Sequence, residues 1–334
     1  MRSLCIQPDG SMTIKQIPVP ALTNEAQVKI RVECASLSDL DANEARLKSG
    51  TASMPGMEVC GTILETGKLA VLQGFRVGER VSALPVIPCG RCDNCRRGHR
   101  SNCTSIRPAS GMLAEQLILE TGQLIRVPED FTSQQACCIW SVAEGLEAIE
   151  RSRIEFGATA LILGSDYSAQ LLCKLLRLHS CRLIAAAGDP ENGKKRILRT
   201  GANLFVDGSQ ELIAQRELLK ATDFQGFDSV FVTADDVGLE WMFQGFAKYG
   251  GTLCLLAFKR INYGISIGQS GILSRNLTLV SSYLSDNKIQ TAMDIIPELH
   301  PEELFDSEID PEDASLYWSK VCSGECAKVF IRFH

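Results

Sequence analysis

Histidine is almost missing from this chain. Its 334 residues include 4, and the first is His99. Any metal or acid–base chemistry upstream of that residue must therefore use other side chains. Long apolar runs are missing too, since no stretch reaches the roughly 18 residues that a spanning helix requires. The opening "MRSLCIQPDGSMTIKQ" lacks the apolar segment of a secretory signal. These absences argue against a membrane partner and for a cytoplasmic setting. Positive charge is in deficit, with Lys+Arg 34 against Asp+Glu 40 and a net charge of -6. That balance argues against a nucleic-acid or anionic-membrane partner. A hydrophobic content of 45% and a charged content of 22% are ordinary for a globular protein, and the length suits two domains.

Cysteine is what the chain has in excess. Fourteen cysteines without a secretion signal read as reduced thiols, with metal binding favoured over disulfides. Four of them lie in "CGRCDNCRRGHRSNC": Cys89, Cys92, Cys95 and Cys103. Two short steps set three thiols along one tight loop, and the fourth closes the tetrahedron that a structural Zn²⁺ prefers. Arg91, Arg96, Arg97 and Arg100 share the loop and are expected to offset the thiolate charge. A closed four-cysteine shell leaves no open coordination position. One structural zinc per chain is the expectation.

The first 140 residues have β patterning. "QVKIRVECAS" alternates Val28, Ile30 and Val32 with Lys29, Arg31 and Glu33, as a half-buried strand does. "FRVGERVSALPVI" reads as a turn at Gly78 followed by another strand. From about Thr159 the pattern changes to apolar runs alternating with helical stretches. "ALILG", "RLIAAA", "NLFVD", "FDSVFVTA", "GGTLCLLAF" and "NLTLVSS" are the runs. "SAQLLCKLLRLHS", "PENGKKRILRTG", "LIAQRELLKA" and "GLEWMFQGFAKYG" have helical spacing. This alternation predicts an α/β unit with a parallel sheet covered on both faces. A helix around "NKIQTAMDII", a Pro- and acid-rich connector and a last strand "KVFIRF" complete the chain.

With those elements in order, "FRVGERVSALPVIPCGRCDNCRRGHRSNC" resembles the structural-zinc lobe of the zinc-type medium-chain alcohol and polyol dehydrogenases. "GMEVCGTILETG", "GMLAEQL" and "AKVFIRF" resemble three further segments of that family, so the likeness covers nearly the whole chain. It implies a GroES-like β-rich domain over 1–140 and 286–334, with the zinc loop at 89–103. A Rossmann domain with a doubly wound parallel sheet is implied over 141–285. It also implies a small-molecule substrate, NAD(H) or NADP(H), and a homodimer or homotetramer in which "NLTLVSS" pairs across subunits.

The family's catalytic zinc is held by a cysteine, a histidine and a third Cys, Asp or Glu. This chain offers Ser36, Met57 and Trp140 at those positions, while Glu58 is kept. Hydroxyl, thioether and indole are poor zinc ligands, so the catalytic metal is expected to be absent. Cys34, Cys60, Cys137, Cys138 and Glu144 read as core thiols and a surface carboxylate rather than a displaced site. Ser36, Ser38 and Glu58 are the candidate catalytic residues. Ser38 and its neighbours Asp39 and Asp41 also suit a turn or cap.

The dinucleotide fingerprint is altered as well. "GSDYSA" places Gly164, Asp166 and Ala169 at the three motif positions, with Ser165, Tyr167 and Ser168 between them. A carboxylate at Asp166 about 4 Å from a pyrophosphate would cost about 4 kcal/mol at a dielectric near 20, or roughly a thousandfold in affinity. After the second strand, Gly188 stands near where an NAD enzyme carries an acid, and Asp189 follows it. Lys194, Lys195 and Arg196 would suit a 2′-phosphate or form a solvated helix face. Cys322 and Cys326 in "VCSGEC" read as packed thiols. Two functions fit these residues: an NAD(P)(H) oxidoreductase without catalytic zinc, and a degenerate dehydrogenase that binds or regulates.

Overall fold

Val28, Ile30 and Val32 are fully buried while Arg31 is exposed, so the period-2 pattern becomes a strand with one dry face. The computed structural model describes residues 1–47, 50–233, 245–256, 269–283 and 285–333. The chain forms two units, Met1–Ala143 with Asp286–His334, and Glu144–Ser285.

In the first unit β1 (Arg2–Ile6) pairs antiparallel with β2 (Met12–Gln16). There follow β3 (Gln27–Ser38), α1 (Asp39–Leu47), β4 (Val59–Thr66), α2 (Lys68–Leu72) and β5 (Arg80–Ala83). Gly78 takes φ 89° in the turn before β5, a conformation that favours glycine. Next come β6 (Val86–Ile87), α3 (Asp93–Arg96), β7 (Arg107–Pro108), β8 (Gln116–Glu120), β9 (Leu124–Arg126), α4 (Ser133–Cys137) and α5 (Ile139–Ser152).

The second unit runs β10 (Thr159–Leu163), α6 (Tyr167–Leu178), β11 (Leu183–Gly188), α7 (Gly193–Arg199), β12 (Leu204–Asp207) and α8 (Glu211–Lys220). It continues through β13 (Phe227–Val232), β14 (Ala247–Leu256) and β15 (Thr278–Ser282). All pairings are parallel, in the order β12-β11-β10-β13-β14-β15. That is the doubly wound order, with its switch point between β10 and β13. The strands are buried on both faces, which is why their sequences lack alternation: every residue of β10 is buried. Of the expected helix at "GLEWMFQGFAKYG", residues 238–244 lie outside the described residues, and Ala247–Gly250 belongs to β14 instead.

The chain then returns to the first unit. The helix expected at "NKIQTAMDII" is Ile289–Leu299. The connector holds two elements that its prolines and acids concealed, β16 (Ser307–Ile309) and a helix at Ala314–Cys322. The last strand, β17 (Lys328–Arg332), joins a sheet ordered β16-β17-β3-β4-β5-β9, with β8 also on β3. β3 and β17 run antiparallel, with Phe330 opposite Ser36 and Lys328 opposite Ser38. Val28, Ile30, Val59, Ile63, Val329 and Ile331 form the core beneath this sheet. Each such side chain contributes roughly 1.5–3 kcal/mol through burial.

Candidate functional site

The segment between β6 and β7 carries the cysteine quartet. The sulfurs of Cys89, Cys92, Cys95 and Cys103 all lie within 4.8 Å of one another. A zinc with four sulfurs at about 2.3 Å would space them about 3.8 Å apart, and Cys89 Sγ and Cys95 Sγ stand 4.0 Å apart. The backbone N–H groups of Cys89 and Ser105 donate to Cys103 Sγ at 3.2 and 3.4 Å. Those of Cys95 and Thr104 pull the Cys92 thiol down to about 6. Amides of Arg91 and Cys92 likewise lower Cys89. Donors aimed at these two sulfurs favour the thiolate, which is the ligand form, whereas burial and the neighbouring Cys92 sulfur push the Cys95 thiol up to about 12. The chemistry fits a structural zinc.

Two of the four loop arginines pair with carboxylates. Arg97 faces the Asp93 carboxylate at 3.4 Å. The Arg100 Nε and backbone N–H donate to Asp286 Oδ2 at 3.2 and 3.1 Å, and Ser101 N donates to Asp286 Oδ1 at 3.1 Å. Asp286 thereby pins the loop to the returning chain.

Where the resemblance puts the catalytic metal, a different set of groups meets. Ser36 Oγ donates to Glu58 Oε2 at 2.7 Å. The Lys328 ammonium reaches the same oxygen at 2.5 Å, with side chains 2% and 4% exposed. The ring of Phe305 lies 5.1 Å from Lys328 Nζ and stacks on Phe330. Pairing of β17 with β3 sets Lys328 opposite Ser38 and diagonal to Ser36, and Glu58 arrives from the segment that enters β4. Glu58 Oε1 is buried without a hydrogen-bond partner. Sequence reasoning missed Lys328: one lysine at the start of an apolar strand reads as an exposed end, and nothing local tells otherwise.

Met57 is half-buried and Trp140 is buried. Among the described residues, the quartet is the one group of three or more Cys, His, Asp or Glu suited to a metal ion. Cys34, Cys60, Cys137 and Cys138 are core thiols, as expected. Burial, with the Glu33 charge behind it, pushes Cys60 up to about 12. Burial and the Cys34 sulfur raise Cys137, whose thiol donates to the Cys34 carbonyl at 3.3 Å. Glu144, expected on the surface, is 1% exposed because it lies on the inner face of α5. Cys322 is half-buried and Cys326 buried.

Ser38 precedes α1, and its backbone N–H and hydroxyl both donate to Asp41 Oδ2, at 2.9 and 3.3 Å. Asp41 Oδ1 accepts the N–H of Gly56 at 2.6 Å. Burial pushes the Asp41 carboxyl up to about 6 against these hydrogen bonds, with Glu44 adding to the rise. The Asp41 carboxylate thus ties the first turn of α1 back to Ser38 and fastens the segment that leads to Glu58.

In the second unit Gly164 follows β10 with φ 142° and donates its N–H to the Ala187 carbonyl at 2.8 Å. Asp166 is the N-cap of α6: its Oδ1 accepts the Ala169 N–H at 2.8 Å. Tyr167 is buried and Ser168 half-buried. Ser165 fills the space above Gly188 and Gly193, where an added Cβ would come within 2.9 and 2.2 Å of Ser165 Cβ. Gly188 is therefore imposed by the packing of Ser165. Asp189 folds back on its own loop, Oδ1 accepting Glu191 N and Oδ2 accepting Asn192 Nδ2, both at 3.0 Å. Lys194 and Lys195 are exposed on α7, and Arg196 is half-buried.

Comparison with known proteins agrees with this architecture. Residues 24–129 match the alcohol dehydrogenase GroES-like domain. The starvation-sensing protein RspB of Escherichia coli K12 is 22% identical over 353 residues, spanning 100% of this chain and 99% of its own. The alcohol dehydrogenase TADH from Thermus sp. ATN1 superposes with a TM-score of 0.89 at 17% identity, covering 100% of both chains. RspB from E. coli CFT073, solved in complex with NADH, gives a TM-score of 0.83 at 21% identity over 100% of this chain and 99% of that one. At these identities the structural likeness shows the fold: a GroES-like β-rich domain and a Rossmann-like α/β domain. No helix among the described residues is long and apolar enough to cross a membrane.

Proposed function

From the alcohol dehydrogenase GroES-like match over residues 24–129 and the shared fold, we propose that this chain is a zinc-type alcohol dehydrogenase-like member of the medium-chain dehydrogenase/reductase superfamily that transfers hydride between NAD(H) or NADP(H) and a small molecule without a catalytic zinc. Cys89, Cys92, Cys95 and Cys103 would hold a structural zinc. The turn Gly164–Ala169, with Gly188 and Asp189 beyond it, would carry the dinucleotide, since ligands of doubly wound sheets bind outside the carboxyl ends of the strands. The edge strand β15 would serve a homodimer.

The observation that carries this reading is the buried Ser36–Glu58–Lys328 network. With its proton committed to Glu58, Ser36 Oγ can accept from a substrate hydroxyl. In that role Ser36 and Glu58 would take up the substrate hydroxyl proton, and a bound nicotinamide dinucleotide would supply the hydride chemistry. Lys328 balances the carboxylate charge in its resting form. The hydroxyl of Ser38, engaged with Asp41, holds the adjoining helix instead.

Turnover is tested by nicotinamide absorbance with alcohols and polyols plus NAD⁺ or NADP⁺, and with carbonyl compounds plus NADH or NADPH. Turnover is expected, with Ser36→Ala lowering kcat by about 10²-fold or more. A second reading, a dehydrogenase homologue that binds without catalysis, is favoured by Asp166, whose carboxylate occupies a donor at the cofactor turn. Dinucleotide binding with no turnover of any tested compound would favour it.

A further inference from the structure

We propose that Asp166 sets the dinucleotide affinity of this protein by acting as a resident anion that a pyrophosphate must displace. The inference rests on the reading of the second unit as a dinucleotide site. A helix N-terminus binds phosphate because its first N–H groups lack partners within the helix and its dipole favours negative charge. Here one of those N–H groups and the dipole are already engaged. Asp166 Oδ1 takes the Ala169 N–H at 2.8 Å, and the carboxylate places its charge at the positive end of the twelve-residue helix α6.

Gln170 gives an independent indication that a ligand belongs here. Its side chain is 0% exposed in the first turn of α6, and its Nε2 touches the Asp166 carbonyl at 3.3 Å. Its Oε1, on the same amide, is buried with no hydrogen-bond partner. An orphan acceptor beside the capped turn calls for a donor, such as a ribose hydroxyl or a phosphate-bound water, that a bound dinucleotide would bring. The other acid of the region does not compete for this turn, because Asp189 is folded onto Glu191 and Asn192.

Binding therefore requires the Asp166 side chain to turn outward, surrendering its cap, or to sit against the phosphates and repel them. Removing the carboxylate is expected to weaken the helix and strengthen the complex, opposite signs that a purely structural role would not give. The experiment titrates NADH and NADPH into the full-length parent, Asp166→Gly and Asp166→Asn by nicotinamide fluorescence, with thermal unfolding of each protein alone. Asp166→Gly should bind one or both dinucleotides roughly 10²- to 10³-fold more tightly than the parent while its Tm falls. Asp166→Asn keeps a capping oxygen and should bind about tenfold more tightly with little loss of Tm, which preserves the test should the glycine variant fold poorly. Equal affinity in all three proteins, or no binding by any of them, overturns the inference. Hydride transfer by the parent alongside equal affinities would overturn it while leaving the oxidoreductase reading in place. Tight binding by Asp166→Gly without turnover would support it and count against that reading.

Discussion

The cysteine quartet and the Ser36–Glu58–Lys328 network belong to the same unit and solve the same electrostatic problem differently. Four sulfurs gather within 4.8 Å, and the nearby Arg97 and Arg100 pair with carboxylates. Such a cluster suits a cation from outside. Glu58 has its cation built in, with Lys328 Nζ at 2.5 Å. A metal centre is marked by ligands that the chain does not neutralise for itself, and backbone N–H groups aimed at Cys89 and Cys92 are part of that mark. The Glu58 centre is self-contained by the same measure, except for the orphan Oε1.

The comparison breaks most readily at Lys328. Lys328→Met would leave Glu58 as a buried, uncompensated carboxylate and should cost about 3–5 kcal/mol in denaturant unfolding. Lys328→Met combined with Glu58→Leu should recover most of that loss, since replacing both charges removes both desolvation penalties. A loss below about 1 kcal/mol for the single variant would mean that the pair is solvated and that Glu58 is not self-compensated.

A smaller effect sharpens the contrast between paired and unpaired burial. Asp41 is buried without a cationic partner at its hydrogen bonds, and burial raises its carboxyl from 3.8 to about 6. Between those values the native state binds more protons than the unfolded chain. Stability from this group therefore grows as pH falls from about 6 toward 4, by roughly 3 kcal/mol at most. Asp41→Asn should remove that slope from denaturant midpoints measured between pH 7 and 4. Parallel profiles for parent and variant would show that Asp41 is not desolvated as described.

The order of elements was legible because apolar runs and helical periods repeat with few interruptions from β10 to β15. β3 was legible through the alternation of Val28, Ile30 and Val32. The helix at Ala314–Cys322 was not, because it follows a segment rich in Pro and acids and buries only Ala314, Trp318 and Val321. The quartet was readable from spacing, since thiols that close together in sequence can hardly avoid meeting. Lys328 escaped because its partner, Glu58, lies far away in the chain and the β3–β17 and β3–β4 registers together bring them into contact. Asp166 was read as a charge opposed to phosphate. Its cap on Ala169 adds the reason the charge stays where it is, which the preference of aspartate for helix N-caps could have supplied.

Zinc analysis of the purified parent and of Cys95→Ser tests the division between the two centres most directly. The account predicts one zinc per chain in the parent and none in the variant. Two zincs in the parent, or one that persists after the quartet is broken, would place a metal at a second centre and contradict it.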